Sequence, residues 1–212
     1  MKLSELLKYN LRELRRILST HPALANERVM LDDNDGAKGG HPLHRICDAV
    51  FAKKITDEQA IEVAKIFLEA GSNIDGFMAQ GDNNTPLIAA ASLHAEKLGL
   101  FYIEHGANIF YALERDGATA LHWAAFCGRD KLVKKLIESG ADINQLDTAY
   151  KSTPAGWAIH ELTSDRSNNK LNQVECIKLL LKAGTDKNLL AVDSIKYLQD
   201  MAQNDPELRA LL

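Results

Sequence analysis

Cysteines are few in this sequence, and nothing in their positions indicates disulfide bonds. The three cysteines among 212 residues are odd in number and widely spaced, and no two of them form a CxxC pair. Small secreted proteins are rich in paired cysteines, whereas a reducing compartment leaves thiols free. The cysteine pattern therefore predicts an intracellular protein, and we expect a cytoplasmic location.

Long apolar runs and an excess of positive charge are missing as well. The apolar runs fall far short of the roughly 18 to 20 residues that cross a bilayer. The N-terminal segment 1–8 carries charges every few residues and does not resemble a secretory signal. The net charge is −4, so the chain lacks the Lys/Arg excess that neutralises phosphates or an anionic membrane. We expect neither nucleic acid nor a membrane as a partner.

Sequence motifs for catalysis and cofactor binding are also absent. No GxGxxG, Walker box, HExxH or GxSxG pattern occurs. The acidic loop at 32–35 lacks the glutamate that completes an EF-hand, which favours a solvated loop over a calcium site. We therefore predict that the protein is not an enzyme and uses no cofactor.

The sequence does contain a repeated pattern. Thr-Pro-Leu or a variant of it opens each copy, and Gly-Ala-Asp or a variant closes it. The opening residues Thr85, Thr119 and Thr153 stand 34 residues apart, and the closing residues Gly106 and Gly140 do so too. Repetition at one fixed period of this size is typical of proteins built from stacked units.

Two intervals exceed this period by ten residues. The opening residue of the first copy, His41, precedes Thr85 by 44 residues, and the closing glycines of the last two copies are also 44 residues apart. An insertion inside a packed helix would rotate its apolar face away from its neighbours. We therefore expect the extra residues in loops, at about 51–60 and 162–173.

Each copy carries the signals of two helices. Threonine is a favourable N-cap, and proline is well tolerated at the first helical position. In the third copy the first helix is alanine-rich and is followed by Gly128, which suits the C′ position of a helix end. The second helix has an apolar stripe, formed by Leu132, Val133, Leu136 and Ile137. One such pair cannot bury its apolar face alone, so the copies must stack.

The repeated pattern resembles that of the ankyrin-repeat family. The resemblance covers roughly residues 36–188, and one copy is close to the family's consensus. The residues that carry it are Gly117, Thr119, Leu121, His122, Ala124, Ala125, Gly128, Val133, Leu136, Gly140, Ala141, Asp142 and Asn144, with Thr85-Pro86-Leu87 and Pro42-Leu43-His44 as partial copies. The resemblance implies an all-α fold, an ankyrin-repeat solenoid of stacked helix-turn-helix units with helical caps.

We predict a single ankyrin-repeat domain over residues 1–212. Its ends are expected to be polar caps, as the terminal units of a stack require for solubility. The predicted parts are an N-terminal cap and loop (1–35), repeat 1 with an insertion (36–75), repeat 2 (80–113), repeat 3 (114–147), repeat 4 with an insertion (148–188) and a C-terminal cap (189–212).

Several positions depart from the family's pattern. Repeat 2 has His94 where the turn after the first helix usually has glycine. Repeat 4 has Ala155 and Gly156 in place of the leucine and histidine of the box. Gly99 falls inside a predicted second helix and should weaken it by roughly 1 kcal/mol relative to alanine.

One group of side chains suggests a metal site. His41, His44 and Cys47 follow one another at intervals of three residues, and these are zinc-ligand types. His44, however, matches the box histidine, which in the resembled family hydrogen-bonds the neighbouring turn. Cys47 matches an alanine of the inner helix. We therefore predict no metal.

The resemblance also implies a function, the binding of another protein by a monomer. Ankyrin proteins bind partners through a concave face lined by the turn tips and the exposed side of the first helices. Aromatic residues and arginine dominate binding energy at interfaces, although packing between inner helices is an alternative role for both tryptophans. The matching positions are Asp82, Arg115, Asp116, Trp123, Phe126, Cys127, Tyr150, Lys151, Trp157, His160 and Glu161.

Two other functions remain open at this point. The chain could be a bacterial effector or a toxin-inhibiting binding protein, which degenerate repeats fit loosely. It could also be a regulatory subunit or an enzyme with a site in the groove. That site would require Asp116, Cys127, His160 and Glu161 to converge on one pocket.

Overall fold

The computed structural model describes residues 10–30, 39–76, 83–164 and 170–212. Within these ranges the regular structure is helical, apart from two isolated β-bridges, Val29–Gly40 and Ala112–Thr119. The α-helices are α1 Leu11–Thr20, α2 Pro42–Phe51, α3 Asp57–Glu69, α4 Pro86–Ser92, α5 Glu96–Glu104, α6 Ala120–Phe126, α7 Asp130–Glu138, α8 Pro154–Thr163, α9 Lys170–Lys182, α10 Val192–Ala202 and α11 Pro206–Leu211. The predicted all-α fold is confirmed.

The chain divides into two compact units, residues 1–108 and 109–212. Within the ranges that the structure describes, every helix is too short or too polar to cross a bilayer. The single domain of four repeats stays a prediction.

Unit 1 contains two helix pairs and one preceding helix. The first helices of the pairs, α2 and α4, pack on each other, and so do the second helices, α3 and α5, while α1 packs on α3. Tyr102 lies fully buried at the centre and its hydroxyl donates to the backbone oxygen of Leu43, 2.8 Å away. The core of unit 1 is therefore built by packing first helices on first helices and second helices on second helices, as the repeated apolar stripes predict.

Unit 2, taken by itself, has the same kind of arrangement. Helix α6 packs on α8 and α7 packs on α9, while α10 packs on α8 and α11 packs on α9. The two C-terminal helices bury Leu198 and Leu208 and leave most of their other residues exposed. They occupy the place of the predicted C-terminal cap.

The predicted helix starts are confirmed by their hydrogen bonds. The hydroxyls of Thr85, Thr119 and Thr153 each accept from a backbone N–H three residues further on. In the third copy His122 completes a capping box, because its Nδ1 accepts from the backbone N–H of Thr119, 3.2 Å away. Its Nε2 also lies 3.2 Å from the backbone oxygen of Ser152, so the box histidine ties two neighbouring copies together.

The expectation that both insertions lie in loops is wrong in part. Helices α2 and α3 have 10 and 13 residues, whereas the corresponding α4 and α5 have 7 and 9. Helices α8 and α9 are also 10 and 13 residues long. Most of the extra residues therefore lengthen the helices. Growth at a helix end leaves the register of its packed part unchanged, so the apolar face stays in place.

The turn after the first helix has a left-handed residue in three copies. Gly128 has φ of +64°, and His94 and Lys53 adopt φ of +64° and +56° at corresponding turns. Non-glycine residues reach this region at a steric cost. His94 therefore follows the backbone path that the family's glycine would take, and the register of repeat 2 is kept.

Candidate binding site

Four aromatic side chains meet on one face of unit 2. Trp123 and Phe126 are three residues apart on α6, which places them on the same side of that helix. Trp157 holds on α8 the position that Trp123 holds on α6, and the two indole rings are 5.3 Å apart between centroids. Tyr150 reaches the same place from the turn before α8, with its ring 6.2 Å from that of Trp157. These four residues are called the aromatic cluster below.

The rings of the cluster are nearly perpendicular to one another. The planes of Trp123 and Phe126 make an angle of 77°, those of Trp123 and Trp157 77°, and those of Phe126 and Trp157 75°. Edge-to-face contact of this kind places the positive edge of one ring against the negative face of another. The planes of Trp123, Phe126 and Trp157 are therefore close to mutually perpendicular, as three faces that meet at a corner are.

A cavity of about 470 Å³ opens beside the aromatic cluster. Its size lies within the range of roughly 300 to 1,000 Å³ that is usual for ligand pockets. The residues that line it are Trp123, Phe126, Tyr150, Ser152, Gly156, Trp157, His160, Ala191 and Ser194. Gly156 stands at the position that His122 holds in the preceding copy, and a Cβ there would clash with Ser152 Oγ, so the Ser152 side chain takes up the space next to this glycine.

The buried carboxylate of Asp147 forms hydrogen bonds with Trp157 and with the turn that carries Tyr150. Asp147 is 1% exposed, and its Oδ2 accepts from Trp157 Nε1 and from the backbone N–H of Ser152, both 3.0 Å away. Its Oδ1 accepts from the backbone N–H of Tyr150 at 2.6 Å. Burial raises the pKa of Asp147, but these hydrogen bonds outweigh it and hold the pKa below its usual value. Asp147 is therefore ionised at neutral pH and fixes both Trp157 and the turn that carries Tyr150.

The turn tip at Arg115 and Asp116 has internal hydrogen bonds but does not line the cavity. Asp116 Oδ2 accepts from Arg115 Nε at 2.9 Å, and its Oδ1 accepts from the backbone N–H of Ala118 at 3.0 Å. The next residue, Gly117, has φ of +71°. At the following tip, Lys151 takes the corresponding position with φ of +54° and is exposed beside Tyr150. Arg115, Asp116 and Lys151 are polar residues that lie close in sequence to residues of the aromatic cluster.

The remaining predicted site residues lie at the end of the first helices. His160 is exposed and lines the cavity, whereas Cys127 and Glu161 are half-buried and do not. Burial raises the pKa of the Cys127 thiol to about 12, and the Glu161 carboxylate adds to this shift. The thiol is therefore protonated at neutral pH, which argues against a nucleophilic role. Asp82 lies outside the described residues.

His41 and Cys47 have structural roles at α2, and His44 Nδ1 lies 3.6 Å from Asp48 Oδ2 on the same helix. His41 caps the helix through Nδ1, and burial lowers its pKa to about 4, with His44 adding to this. The Cys47 thiol is buried and contacts the backbone oxygens of Leu43 and Pro86. Within the described ranges, no three His, Cys, Asp or Glu side chains lie close enough together to hold a metal ion.

Sequence reasoning did not single out Asp147, Ser152, Gly156, Ala191 or Ser194 as part of the site. One signal for Asp147 was available, because the corresponding position in the preceding copy is the buried Leu113. A carboxylate at an apolar repeat position requires polar partners, since a charge is costly to bury alone. The two residues from 191–194 could not be found in this way because they lie outside the repeated pattern.

Stacked helix pairs with a regular spacing of turns and caps define a repeat protein. Residues 50–147 match the family model of ankyrin repeats, with three copies. Residues 50–147 of this chain are ankyrin repeats.

Several relatives share this region. The chain is 30% identical over 141 residues to mouse palmitoyltransferase ZDHHC13, a match that covers 57% of this chain and 21% of that protein. It is 27% identical over 133 residues to human ankyrin repeat and SOCS box protein 6, covering 63% and 29% of the two chains. It is 31% identical over 128 residues to human neurogenic locus notch homolog protein 1, covering 60% and 4%. The chain thus spans less than a third of the length of these relatives.

Proposed function

We propose that this protein is an adaptor or scaffold that binds a protein partner through the aromatic cluster and its cavity. The observation that carries the proposal is the cavity of about 470 Å³ lined by three aromatic side chains of α6 and α8 and by Tyr150 from the turn before α8. Ankyrin repeats generally mediate protein–protein interaction, and the predicted concave-face residues Trp123, Phe126, Tyr150, Trp157 and His160 all line this cavity.

Exposure of apolar surface supports this location. Tyr150 is 76% exposed, and Val192, which follows the lining residue Ala191, is 81% exposed. Large apolar side chains rimmed by polar groups mark interaction sites on soluble proteins. Tryptophan and tyrosine are also the residue types most often found at the energetic centre of interfaces.

The polar site residues complete the proposal. We assign Arg115, Asp116, Lys151 and Glu161, with Cys127, to the rim of the same interface, where charged groups steer association more than they add affinity. Asp82, which lies outside the described residues, stays a prediction from its sequence position. The protonated Cys127 thiol favours a binding function over a catalytic one. A monomer in the cytoplasm is part of the same proposal.

The test is a double substitution of Phe126 and Tyr150 by alanine. A partner is first identified by affinity purification from the native source, and its affinity for the full chain is then measured by calorimetry. Truncating interface hot spots costs about 2 kcal/mol or more, so we expect at least a roughly 30-fold loss of affinity. Far-UV circular dichroism verifies that the variant is folded.

The matched control replaces Phe51, an exposed aromatic residue of unit 1 that is 57% exposed. Phe51→Ala should leave the affinity within about threefold of the wild type, because it removes an aromatic ring outside the cluster. An unchanged affinity in the double variant, or an equal loss in the control, would show that the interface lies elsewhere.

A further inference from the structure

We propose that the cavity beside the aromatic cluster receives a methylated ammonium group, the side chain of a di- or trimethylated lysine on the partner protein. This rests on the proposed function, because it names the group of the protein partner that enters the cavity. Three observations carry it: the orientation of the rings, the charge behind them and the polar groups of the lining.

The first observation is the orientation of the rings. Trp123, Phe126 and Trp157 are mutually perpendicular within about 15° and line one cavity. The face of an aromatic ring carries negative charge density, and a cation is attracted when it lies within about 6 Å of the ring centroid. A compact cation held in a corner of three such rings approaches more than one of them at once. Tryptophan is the strongest partner of this kind, and the cluster has two.

The second observation is a negative charge that has no cationic hydrogen-bond donor among the described residues. Asp147 is ionised and buried, and every hydrogen-bond donor to it among the described residues is a neutral N–H group. His122 lies close enough to interact with it, but burial lowers the pKa of His122, so this imidazole is neutral at pH 7.

The location of the Asp147 charge makes the electrostatic potential of the cavity negative. The Asp147 carboxylate accepts from the indole N–H of Trp157, so it stands directly against one wall of the cavity. Of the described residues that line the cavity, none is lysine or arginine. A charge in a poorly solvated site acts more strongly than it would in water. The cavity is therefore complementary to a positive group, and an anionic one would be repelled.

The third observation separates a methylated ammonium from an unmodified one. An unmodified lysine brings three N–H donors, all of which need acceptors once they leave water. The side-chain acceptors in the described lining are the hydroxyls of Tyr150, Ser152 and Ser194 and the imidazole of His160, and no carboxylate is among them. Methylation keeps the charge and removes two of the three donors in dimethyl-lysine and all three in trimethyl-lysine, so it suits walls that are mostly aromatic.

The experiment uses the fluorescence of the full chain. Both tryptophans of the sequence line the cavity, so tryptophan emission, excited selectively over tyrosine, reports on this site. Three short peptides of identical sequence are titrated: one with trimethyl-lysine, one with lysine, and one with a neutral analogue in which a tert-butyl group replaces the trimethylammonium group. The last two peptides separate the effect of methylation from that of charge.

We expect a saturable change with the trimethyl-lysine peptide and binding about tenfold tighter than that of either other peptide. Phe126→Leu keeps an apolar wall but removes a ring face, so it should lower the affinity for the cation and leave that for the neutral analogue unchanged. Equal affinities for the cationic and neutral peptides would overturn the proposal, as would the absence of saturation.

Two further outcomes are informative. Phosphatidylcholine vesicles carry the same trimethylammonium group, and binding to them in preference to the peptide would overturn the assignment to a protein partner. Failure of the peptide experiment leaves the proposed function intact if Phe126→Ala with Tyr150→Ala still weakens the protein partner. The proposed function fails separately, when that double variant binds the partner as the wild type does.

Discussion

Replacing Asp147 by asparagine measures how much unit 2 depends on a single buried carboxylate. The two oxygens of this carboxylate accept from Trp157 Nε1 and from the backbone N–H groups of Tyr150 and Ser152. Asparagine has nearly the same shape, but one of its two positions is an NH₂ group that donates. At least one of the three donors would then face another donor, and the remaining bonds would lose the assistance of the charge.

The expected cost follows from these bonds. Hydrogen bonds to a charged group contribute about 1.5 to 3 kcal/mol each, and an unsatisfied buried donor costs about 1 to 3 kcal/mol. We expect Asp147→Asn to lower the free energy of unfolding by about 2 to 4 kcal/mol, a large part of the 5 to 15 kcal/mol typical of a folded protein. The assay is urea unfolding followed by tryptophan emission, which reports on unit 2 because both tryptophans lie there.

The pH dependence provides an independent check. The pKa of Asp147 is lower in the folded protein than its usual value of about 3.9. Its contribution to stability is therefore fully present above that value and is lost as the pH falls through the lower folded pKa. The difference in stability between the wild type and the asparagine variant should be constant near neutral pH and should shrink below about pH 4.

A matched control is available on α10. Asp200 is exposed and should tolerate asparagine with a change within about 0.5 kcal/mol. The reasoning would be refuted if Asp147→Asn also changed the free energy of unfolding by less than about 0.5 kcal/mol, because that is the effect of an ordinary surface substitution.

Two glycine-related predictions concern turns. His94→Gly should raise the free energy of unfolding by up to about 1 kcal/mol, because His94 has φ of +64°, with part of the gain offset by loss of its ring contact to Phe51. Urea unfolding followed by circular dichroism measures it, and a loss of stability would contradict it. Gly117→Ala should destabilise the protein by about 1 to 3 kcal/mol, because φ is +71° and a Cβ would lie 2.8 Å from the backbone nitrogen of Thr148. A melting temperature equal to that of the wild type would contradict this second prediction.

The fold could be predicted from the sequence because its signals are local and repeated. The threonine caps, the glycines at helix ends and the apolar stripes recur at 34 residues, and each has a direct physical reading in one helix or one turn. The place of the extra residues could not be predicted in the same way. Whether they extend a helix or form a loop depends on what the ends of that helix pack against.

The site was predictable in part. The equivalence of Trp123 and Trp157 follows from the period alone, and it places both on the exposed side of the first helices. The sequence did not indicate whether the two rings pack on each other or face a partner, and the structure shows that they contact each other and also line the cavity. Both uses are compatible because a tryptophan ring is large enough to offer an edge to one neighbour and a face to another.

The sequence by itself determined that this chain is a stack of ankyrin repeats and which positions of unit 2 are aromatic, because period and composition require no knowledge of distant contacts. The tertiary structure alone decided that Asp147 lies behind Trp157 and that residues 191–194 border the same cavity. Both facts depend on segments that are separated in the chain and meet only when the helices pack. A repeat pattern predicts which residues share a face, and packing decides which of them enclose a site.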